Sequence, residues 1–398
     1  MDSNSLDDWL DYIDQNRPKE DEFGLERLRP IKDIIFESPI AKKVVVIGGT
    51  NGKGTSAEFL NNLLLKSNLN VGLYTSPHLF RFNERIRING YPVSDSEIIN
   101  AFKEIEKVKK ETRLTYFDYA TIAAFIIFIK NPLDVAILEI GLGGKYDPVN
   151  LLDADISILT NVELDHQKWL GNTREEIGAE KSAIFRDGKT IILGSKEMPS
   201  SVMRKVSELN SKTLQLGIDF SEEEIRTSNL NKESAACSIA AYKEITDIPI
   251  EFSETLKETN LLGRCDVKGK FILDVSHNIA SVKNLIDFLN QEYKSKSIKA
   301  IVGLMQDKDV NEIIKEIKHI ISEWYACSPN IDRAMSSSNL EELISNETNS
   351  KVEAFESVDL AVKKALNEDS SDLVIVFGSF FTVSEAYEAL SKHKQIEL

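Results

Sequence analysis

An apolar run that breaks into a glycine-rich loop, Val44-Val45-Val46-Ile47-Gly48-Gly49-Thr50-Asn51-Gly52-Lys53-Gly54-Thr55, restricts this chain more than any other segment. Four consecutive β-branched residues predict a strand buried on both faces, the setting of a parallel sheet covered by helices. Ser56 to Lys66 then predicts a helix with Phe59, Leu60, Leu63 and Leu64 on one face. Strand, glycine loop and helix start together make a phosphate cradle. Glycines let backbone N–H groups approach closely, the helix end supplies partial positive charge, and the lysine adds a full one. The expected ligand is a nucleotide. In the general form of such loops a Ser or Thr follows the lysine directly, whereas here Gly54 stands between Lys53 and Thr55.

At 398 residues the chain has room for two domains. Its net charge of −16 argues against nucleic acid and against an anionic membrane surface. An anionic substrate must therefore be held by local basic groups or metal ions. Cys237, Cys265 and Cys327 are widely spaced, with neither a disulfide framework nor a zinc pattern, which suits a reducing cytoplasm. The opening Met1–Asp8 is acidic and lacks the basic and apolar stretches of a secretory leader. The most apolar stretch, Ala120–Ile129, is about half the roughly twenty residues of a spanning helix and predicts a buried core helix. A cytoplasmic protein is expected.

Candidate strands Val44–Ile47, Val71–Thr75, Val135–Ile140, Ile156–Leu159 and Thr190–Leu193 alternate with helical stretches, among them Asp95–Lys110 with an apolar stripe. An amphipathic start carries Trp9, Leu10 and Ile13. Residues 195–260 are polar and less regular. A second set follows: Phe271–Leu273, Ala300–Gly303, Trp324–Ala326 and Leu373–Phe377, with Asn330–Ser350 reading as a surface excursion. The expected fold is α/β, with a nucleotide-binding domain over 1–261 built on a predominantly parallel sheet and a smaller α/β domain over 262–398.

Ligands of α/β sheets bind beyond the carboxyl ends of strands, so the residues after each strand carry the chemistry. They are Thr75-Ser76-Pro77-His78-Leu79 with Arg81-Phe82-Asn83-Glu84-Arg85 just after, Glu139 to Asp147, and Asn161 to His166. Ser76, Glu139 and His166 are candidate Mg²⁺ ligands, a cation that takes oxygen donors and shares them with phosphates. Taken singly, Ser76 reads equally as a turn hydroxyl, Glu139 as a buried acid paired with an arginine, and His166 as a helix-cap or core histidine. In the second domain Leu262-Gly263-Arg264 and Asp274-Val275-Ser276-His277-Asn278 have the groups to grip a nucleotide, with Asn278 equally readable as a helix N-cap.

In collinear order the chain carries Phe23-Gly24-Leu25-Glu26-Arg27, the Gly49–Thr55 loop, Thr75–Leu79, Leu114–Tyr119, Leu138–Gly144, Leu164-Asp165-His166, Glu180–Phe185, Asp274–Asn278, Asp307-Lys308-Asp309 and Val376–Phe380. With these motifs it resembles the bacterial dihydrofolate synthase/folylpolyglutamate synthase family of the Mur ligase superfamily, ATP-dependent amide-forming ligases. Gly54 within the loop is a feature of that family. The resemblance implies two domains with ATP held between them, and a substrate carboxylate that attacks the γ-phosphate. L-glutamate then displaces phosphate from the acyl phosphate. The acceptor is dihydropteroate or the glutamate tail of a reduced folate. The Thr115–Tyr119 segment favours the bifunctional subgroup.

The resemblance also implies roles. Lys53, His166 and Lys181 would be catalytic. Gly49, Thr50, Asn51, Gly52, Lys53, Gly54, Thr55, Ser234, Arg264, Asp274 and His277 would hold ATP. Two Mg²⁺ ions would lie on Thr55, Ser76, Glu139, His166 and Lys181, the last as a CO₂-derived carbamate; without the family, Lys181 reads as a surface lysine paired with Glu180. Phe23, Gly24, Leu25, Thr115, Tyr116, Phe117, Asp118, Tyr146, Asp147 and Pro148 would form the pterin site, with Phe117 stacked on the ring and Asp118 or Asp147 bonding its polar edge. A monomer is expected. Departures from the family pattern are Lys145 for arginine, Tyr146, Pro148 and Val149 in the following loop, Leu262 for proline, Ile279 for proline, and Ser234 for asparagine. A monofunctional synthase, another Mur-type amino-acid ligase, and an inactive nucleotide-binding regulator are the competing readings.

Overall fold

The structure, a computed structural model, describes residues 3, 5–18, 24–36, 38–223, 225, 230–294, 296–368 and 372–397. The chain divides into two compact units, Met1–Thr259 and Asn260–Leu398.

In the first unit α1 (Leu6–Gln15) and α2 (Arg29–Ile35) precede β1 (Lys43–Gly48), buried from Val44 onward. The glycine loop leads into α3 (Lys53–Lys66), then β2 (Val71–Tyr74), β3 (Ile86–Ile88) and β4 (Tyr91–Pro92). Next come α4 (Asp95–Val108), α5 (Tyr116–Ile129), β5 (Val135–Glu139) and β6 (Ile156–Leu159). The unit closes with α6 (Gln167–Leu170), α7 (Arg174–Lys181), β7 (Thr190–Leu193), α8 (Ser200–Ser207), β8 (Lys212–Gln215), α9 (Lys232–Ile245) and α10 (Phe252–Glu258).

Among the described residues its strands form one sheet in the order β4-β3-β2-β5-β1-β6-β7-β8. β1 lies in parallel between β5 and β6, with Val45 opposite Ile137 on one side and Ile156 on the other. The order β2-β5-β1-β6-β7-β8 is parallel throughout, so the carboxyl ends of all six strands open on one edge. β3 and β4 run antiparallel, a feature the expected strands omit. The turn between them is Asn89-Gly90, both at positive φ (51° and 85°), the residue pair that a two-residue hairpin favours.

α5 is buried on every face from Asp118 to Phe128, as its unbroken apolar sequence requires. α1 and α4 lie against it, with Trp9 tilted on Phe102 at 6.0 Å between ring centroids and both rings fully buried. The stretch 195–260 is more regular than its polar composition suggests. Small residues of α9 let it approach α3 closely, where Ser56 Oγ donates to Ser234 O (3.1 Å) and Ser238 Oγ to Ser56 O (2.9 Å).

The second unit runs β9 (Asp266–Lys268), β10 (Phe271–Asp274), α11 (Ile279–Glu292), β11 (Ile298–Val302), α12 (Val310–Ile317) and β12 (Glu323–Cys327). It ends with α13 (Ser337–Glu347), β13 (Lys351–Phe355), α14 (Val358–Asn367), β14 (Leu373–Phe377) and α15 (Phe380–Lys392). The sheet order is β13-β12-β11-β14-β10-β9 among the described residues, parallel except for β9. The segment expected to be a surface excursion is built into the fold instead. Ser336 caps α13 by accepting the Asn339 N–H, and Leu340 and Ile344 are fully buried. Its serine cluster marks a helix start rather than a linker.

Lys299 on β11 is paired with Glu323 across the register (2.9 Å), with Glu368 after α14, and with Asp372 at 3.7 Å. Burial opposes ionisation of Glu368, but hydrogen bonds from Lys299, Tyr325 and Lys364 outweigh it and bring its pKa from 4.5 down to about 2. A carboxylate held below its unfolded value stabilises the fold above that value and loses the contribution as pH falls through the folded one. The second unit is therefore expected to weaken between pH 4.5 and about 2, and Glu368→Gln to flatten that slope. Urea unfolding over this range checks it, read by Trp324 in a chain whose Trp9 and Trp169 are replaced by Phe.

Candidate active site

The glycine loop leaves β1 and is pinned along one side by the residues that follow β6. Thr50 N donates to Asn161 O (3.0 Å), Asn51 N to Asn161 Oδ1 (2.9 Å), and Thr160 Oγ1 to Asn51 O (2.7 Å). Thr50 Oγ1 donates to Glu163 O (3.2 Å) and accepts Glu163 N (3.0 Å). Two glycines are dictated by this packing. Gly49 has φ +142°, and a Cβ there would lie 1.8 Å from Thr160 Oγ1; Gly52 has φ +83°, and a Cβ there would lie 2.2 Å from Ser234 Oγ. Ser234 thus sits directly against the loop. α3 begins at Lys53, earlier than the sequence suggests, and has no side-chain cap. The N–H groups of its first turn are left without intrahelical partners, which is the basis of an anion site.

Lys53 Nζ donates back to Gly49 O and Thr50 O, both at 3.2 Å. Lys181, at the end of α7, is only 5% exposed and donates to the same Gly49 O at 2.8 Å, not to Glu180. Burial, and then the charge of Lys53, bring the Lys181 amine from 10.5 down to about 7. The loop after β5 lies against this helix end: a Cβ at Gly144 would meet Glu180 O at 2.8 Å and Lys181 O at 3.0 Å.

Glu139 ends β5, is buried, and accepts Ser76 N through Oε2 at 3.1 Å. Gly54 faces it; a Cβ there would lie 3.7 and 3.8 Å from the two carboxylate oxygens. Gly54 thus places the first turn of α3, which carries buried Thr55, beside Glu139 with room for a Cβ at ordinary contact distance. Among the described residues no group of three or more His, Cys, Asp or Glu is placed to hold a metal. Ser76, bonded to Glu139 through its backbone amide, and Thr55, next to Gly54, are hydroxyl-bearing residues close in the chain to groups that meet the carboxylate, and hydroxyl and carboxylate oxygens are donor types that Mg²⁺ takes. His166 stands at the start of α6 with φ +50°, its side chain 41% exposed and Nε2 4.0 Å from Asp165 Oδ2. It is neither a core histidine nor a side-chain cap of α6.

Of the expected pterin residues, Phe23 lies outside the described residues. Gly24 and Leu25 lead into a 3₁₀ turn over Leu25–Arg27. Arg27 ties that turn to α5 by pairing with Asp118 Oδ2 at 2.7 Å, and Nη1 donates to Arg113 O at 3.1 Å. Thr115 and Asp118 cap each other across the first turn of α5. Tyr116 packs on Phe82 (5.8 Å), and Phe117 lies on Tyr74 (6.0 Å) and over Gly141, where a Cβ would meet its ring at 2.5 Å. Asp147 is buried and accepts three backbone N–H groups, from Gly141, Leu142 and Val149. Burial nonetheless pushes its pKa up to about 7. Pro148 is buried behind it, while Tyr146 is exposed under Lys145 Nζ at 4.9 Å.

In the second unit Arg264 lies over Phe380 at 5.1 Å. Asp274, the last residue of β10, accepts Cys265 N and Ser276 N, each at 2.8 Å. His277 Nδ1 lies 2.8 Å from Val275 O, which can only accept, so that nitrogen carries the proton. Asn278 caps α11. Sequence reasoning assigned no role to Thr160, or to Arg27 and Arg85, although it includes the segments Phe23–Arg27 and Arg81–Arg85. Thr160 was readable from its place at the end of a strand, whereas Arg27 pairs with Asp118, 91 positions away in sequence.

Residues 47–268 match the family described as Mur ligase middle domain, and residues 263–380 the one described as Mur ligase, glutamate ligase domain. The dihydrofolate synthase/folylpolyglutamate synthase of Escherichia coli is 32% identical, over 98% of this chain and 96% of its own length. That of Buchnera aphidicola (subsp. Baizongia pistaciae) is 33% identical over 97% and 96%. Among solved structures, E. coli FolC in complex with DHPP and ADP has a TM-score of 0.92 at 30% identity, covering 98% of this chain and 99% of that one. The Yersinia pestis bifunctional enzyme complexed with AMPPNP and Mn ion has a TM-score of 0.90 at 32% identity, covering 98% of each.

The packing around Gly49 yields a test. Gly49→Ala is expected to destabilise the first unit by more than about 2 kcal/mol through strain and overlap. Gly54→Ala, with an open Cβ position, is expected to shift stability by less than about 1 kcal/mol. Equilibrium urea unfolding of the two variants checks the contrast.

Proposed function

Because the chain belongs to the dihydrofolate synthase/folylpolyglutamate synthase family of Mur ligases, we propose that it joins L-glutamate to dihydropteroate and to the glutamate tail of reduced folates, using ATP. The observation that carries this reading is the open start of α3 with Lys53, Lys181 and Glu139 gathered around it. A plain nucleotide binder has no need of a buried, partly neutral lysine beside its phosphate loop.

In this reading the acceptor carboxylate attacks the γ-phosphorus of ATP. An O–P bond forms, the bond to ADP breaks, and an acyl phosphate results. The glutamate amine then attacks the acyl carbon, the C–O bond to phosphate breaks, and the amine loses a proton as the amide forms. The first step sets anion against anion. Lys53 moves from the loop carbonyls to the phosphates, and the N–H groups of the first turn of α3 take up charge on the transferring group. Bound Mg²⁺ supplies further charge neutralisation, held by Thr55, Ser76, Glu139 and His166. Thr160 and Asn161 keep the loop in shape through the change, so little reorganisation is left for the reaction itself. On the acceptor side Phe117 and the Thr115–Asp118 turn, with Gly24, Leu25 and Tyr146 to Pro148, receive the pterin. The proposal includes Arg264, Asp274 and His277 as nucleotide contacts, a working monomer and a cytoplasmic setting, the last supported by three buried free cysteines.

The reading extends to a carbamate on Lys181. A pKa near 7 leaves much of this amine unprotonated at neutral pH, the form that adds CO₂. Its conversion to an anion would replace a buried ammonium with a group able to hold a second Mg²⁺. Two measurements test these assignments. Lys53→Ala is expected to lower ADP release, in the presence of dihydropteroate and L-glutamate, by on the order of 10²–10³; turnover like that of the unaltered enzyme sinks the cradle assignment. With ¹³C-bicarbonate, a carbamate carbon signal is expected that weakens as pH falls from 8 to 6 and is absent in Lys181→Ala. A signal that persists in the variant removes the carbamate from this residue.

A further inference from the structure

The turn that carries Arg264 is held more tightly than a connection into a short strand requires. Gly263 has φ +67°, and a Cβ there would meet Val275 Cγ1 at 2.9 Å and Val383 Cγ1 at 3.2 Å. Cys265 takes φ +46°, a left-handed conformation that a residue with a Cβ adopts rarely and at a cost. Such strain persists where the surroundings over-determine it. Here the backbone N–H groups of three successive residues each have a fixed acceptor. Gly263 N donates to Tyr387 Oη (2.8 Å), Arg264 N to Leu261 O (3.2 Å) and Cys265 N to Asp274 Oδ2 (2.8 Å).

Of these acceptors Tyr387 alone comes from a helix remote in sequence. It lies fully buried on α15, and its hydroxyl donates to buried Asp266, just beyond the turn. The phenol has one proton to give, so toward Gly263 it can only accept. Lys268 Nζ pairs with the other Asp266 oxygen at 3.2 Å. Phe380, Val383 and Tyr387 are spaced by three and four residues along α15, which puts them on one face. Phe380 lies under the Arg264 guanidinium at 5.1 Å, Val383 abuts Gly263, and Tyr387 fixes the Gly263 peptide. The Gly263 carbonyl passes the constraint on. It accepts Val275 N at 2.9 Å and Arg264 Nη1 at 3.3 Å, and Val275 O in turn lies 2.8 Å from His277 Nδ1.

We infer that Tyr387 is a positioning residue for nucleotide capture: through the Gly263 peptide it aims Arg264 at the phosphates of a nucleoside triphosphate. A guanidinium binds phosphate by parallel N–H groups, so its value depends on the plane in which it is presented. Phe380 sets that plane, and Tyr387 sets the backbone from which the side chain starts. The inference rests on the reading of Arg264 as a nucleotide contact.

The test compares Tyr387→Phe, which removes only the hydroxyl, with Tyr325→Phe, which removes a hydroxyl bonded to Glu368 elsewhere in the same unit. Binding of AMPPNP with Mg²⁺ to the full chain is measured by calorimetry, below the melting temperature of each variant. Tyr387→Phe is expected to weaken AMPPNP binding by about 5-fold or more. It is expected to raise the KM for ATP and to leave the KM values for dihydropteroate and L-glutamate unchanged. Tyr325→Phe is expected to alter none of these. In an Arg264→Ala background, adding Tyr387→Phe is expected to change AMPPNP binding no further, since nothing is left to position. Equal weakening by both tyrosine variants, no weakening by Tyr387→Phe, or additivity with Arg264→Ala overturns the inference and leaves Tyr387 a purely structural residue. Should Tyr387→Phe fail to fold, Asp266→Asn is measured in its place with the same outcome expected, because it removes the charge that holds the phenol. Nitrogen-15 spectra of the ligand-free chain separate this inference from the reading beneath it. The Arg264 Nε–H signal, identified by its loss in Arg264→Ala, is expected to shift in Tyr387→Phe and to stay in place in Tyr325→Phe. If it does so while Arg264→Ala binds AMPPNP as the unaltered chain does, it is the nucleotide role of Arg264 that falls and not its positioning by Tyr387.

Discussion

The carbonyl of Gly49 is where the organisation of the first unit converges. It accepts the ammonium groups of Lys53 and Lys181, which come from opposite ends of two helices far apart in sequence. That geometry requires the peptide after β1 to turn out of the sheet at a φ no side chain tolerates, against Thr160. The glycine, the threonine at the next strand's end and the two lysines form one constraint. Loosening any of them moves the first turn of α3 and, through Gly54, its seat against Glu139.

Charge is handled differently in the two units. The second unit satisfies Lys299 with three carboxylates, one of which, Glu368, also accepts Tyr325 OH, a closed arrangement that serves stability. The first unit leaves charges partly unmet around the carboxyl ends of its strands: Lys53 and Lys181 on one carbonyl, Arg85 without an acid among the described residues, Asp147 buried with its proton affinity raised. Unmet charge is expensive, and its concentration along one edge of one sheet distinguishes a working surface from a scaffold.

Much of this was legible in the sequence because it is local. The apolar run before the glycine loop, the helix after it and the order of the later strands follow from composition and spacing alone. What escaped was either small or remote. The Asn89-Gly90 hairpin adds two very short strands at the sheet edge, too brief for alternation to register. α9 looked irregular because its buried face is alanine and serine, residues chosen for closeness to α3 rather than for apolar bulk. Ser336-Ser337-Ser338 has the composition of a linker and the position of a cap. Lys181 illustrates the limit most clearly: neighbouring Glu180 suggests a surface pair, and only the folded chain turns the amine inward to Gly49.

Lys53 arrives at its ligand with both hands full. In its proposed role Lys53 must give up two bonds to loop carbonyls before it can reach a phosphate, which would make nucleotide capture an exchange rather than a simple addition. On that role, the strength of the grip is the difference between two sets of contacts. The same exchange run backwards gives the lysine somewhere to go when the spent diphosphate departs. A loop that can satisfy its own cation is one that lets go of product, which a catalyst needs as much as it needs to bind.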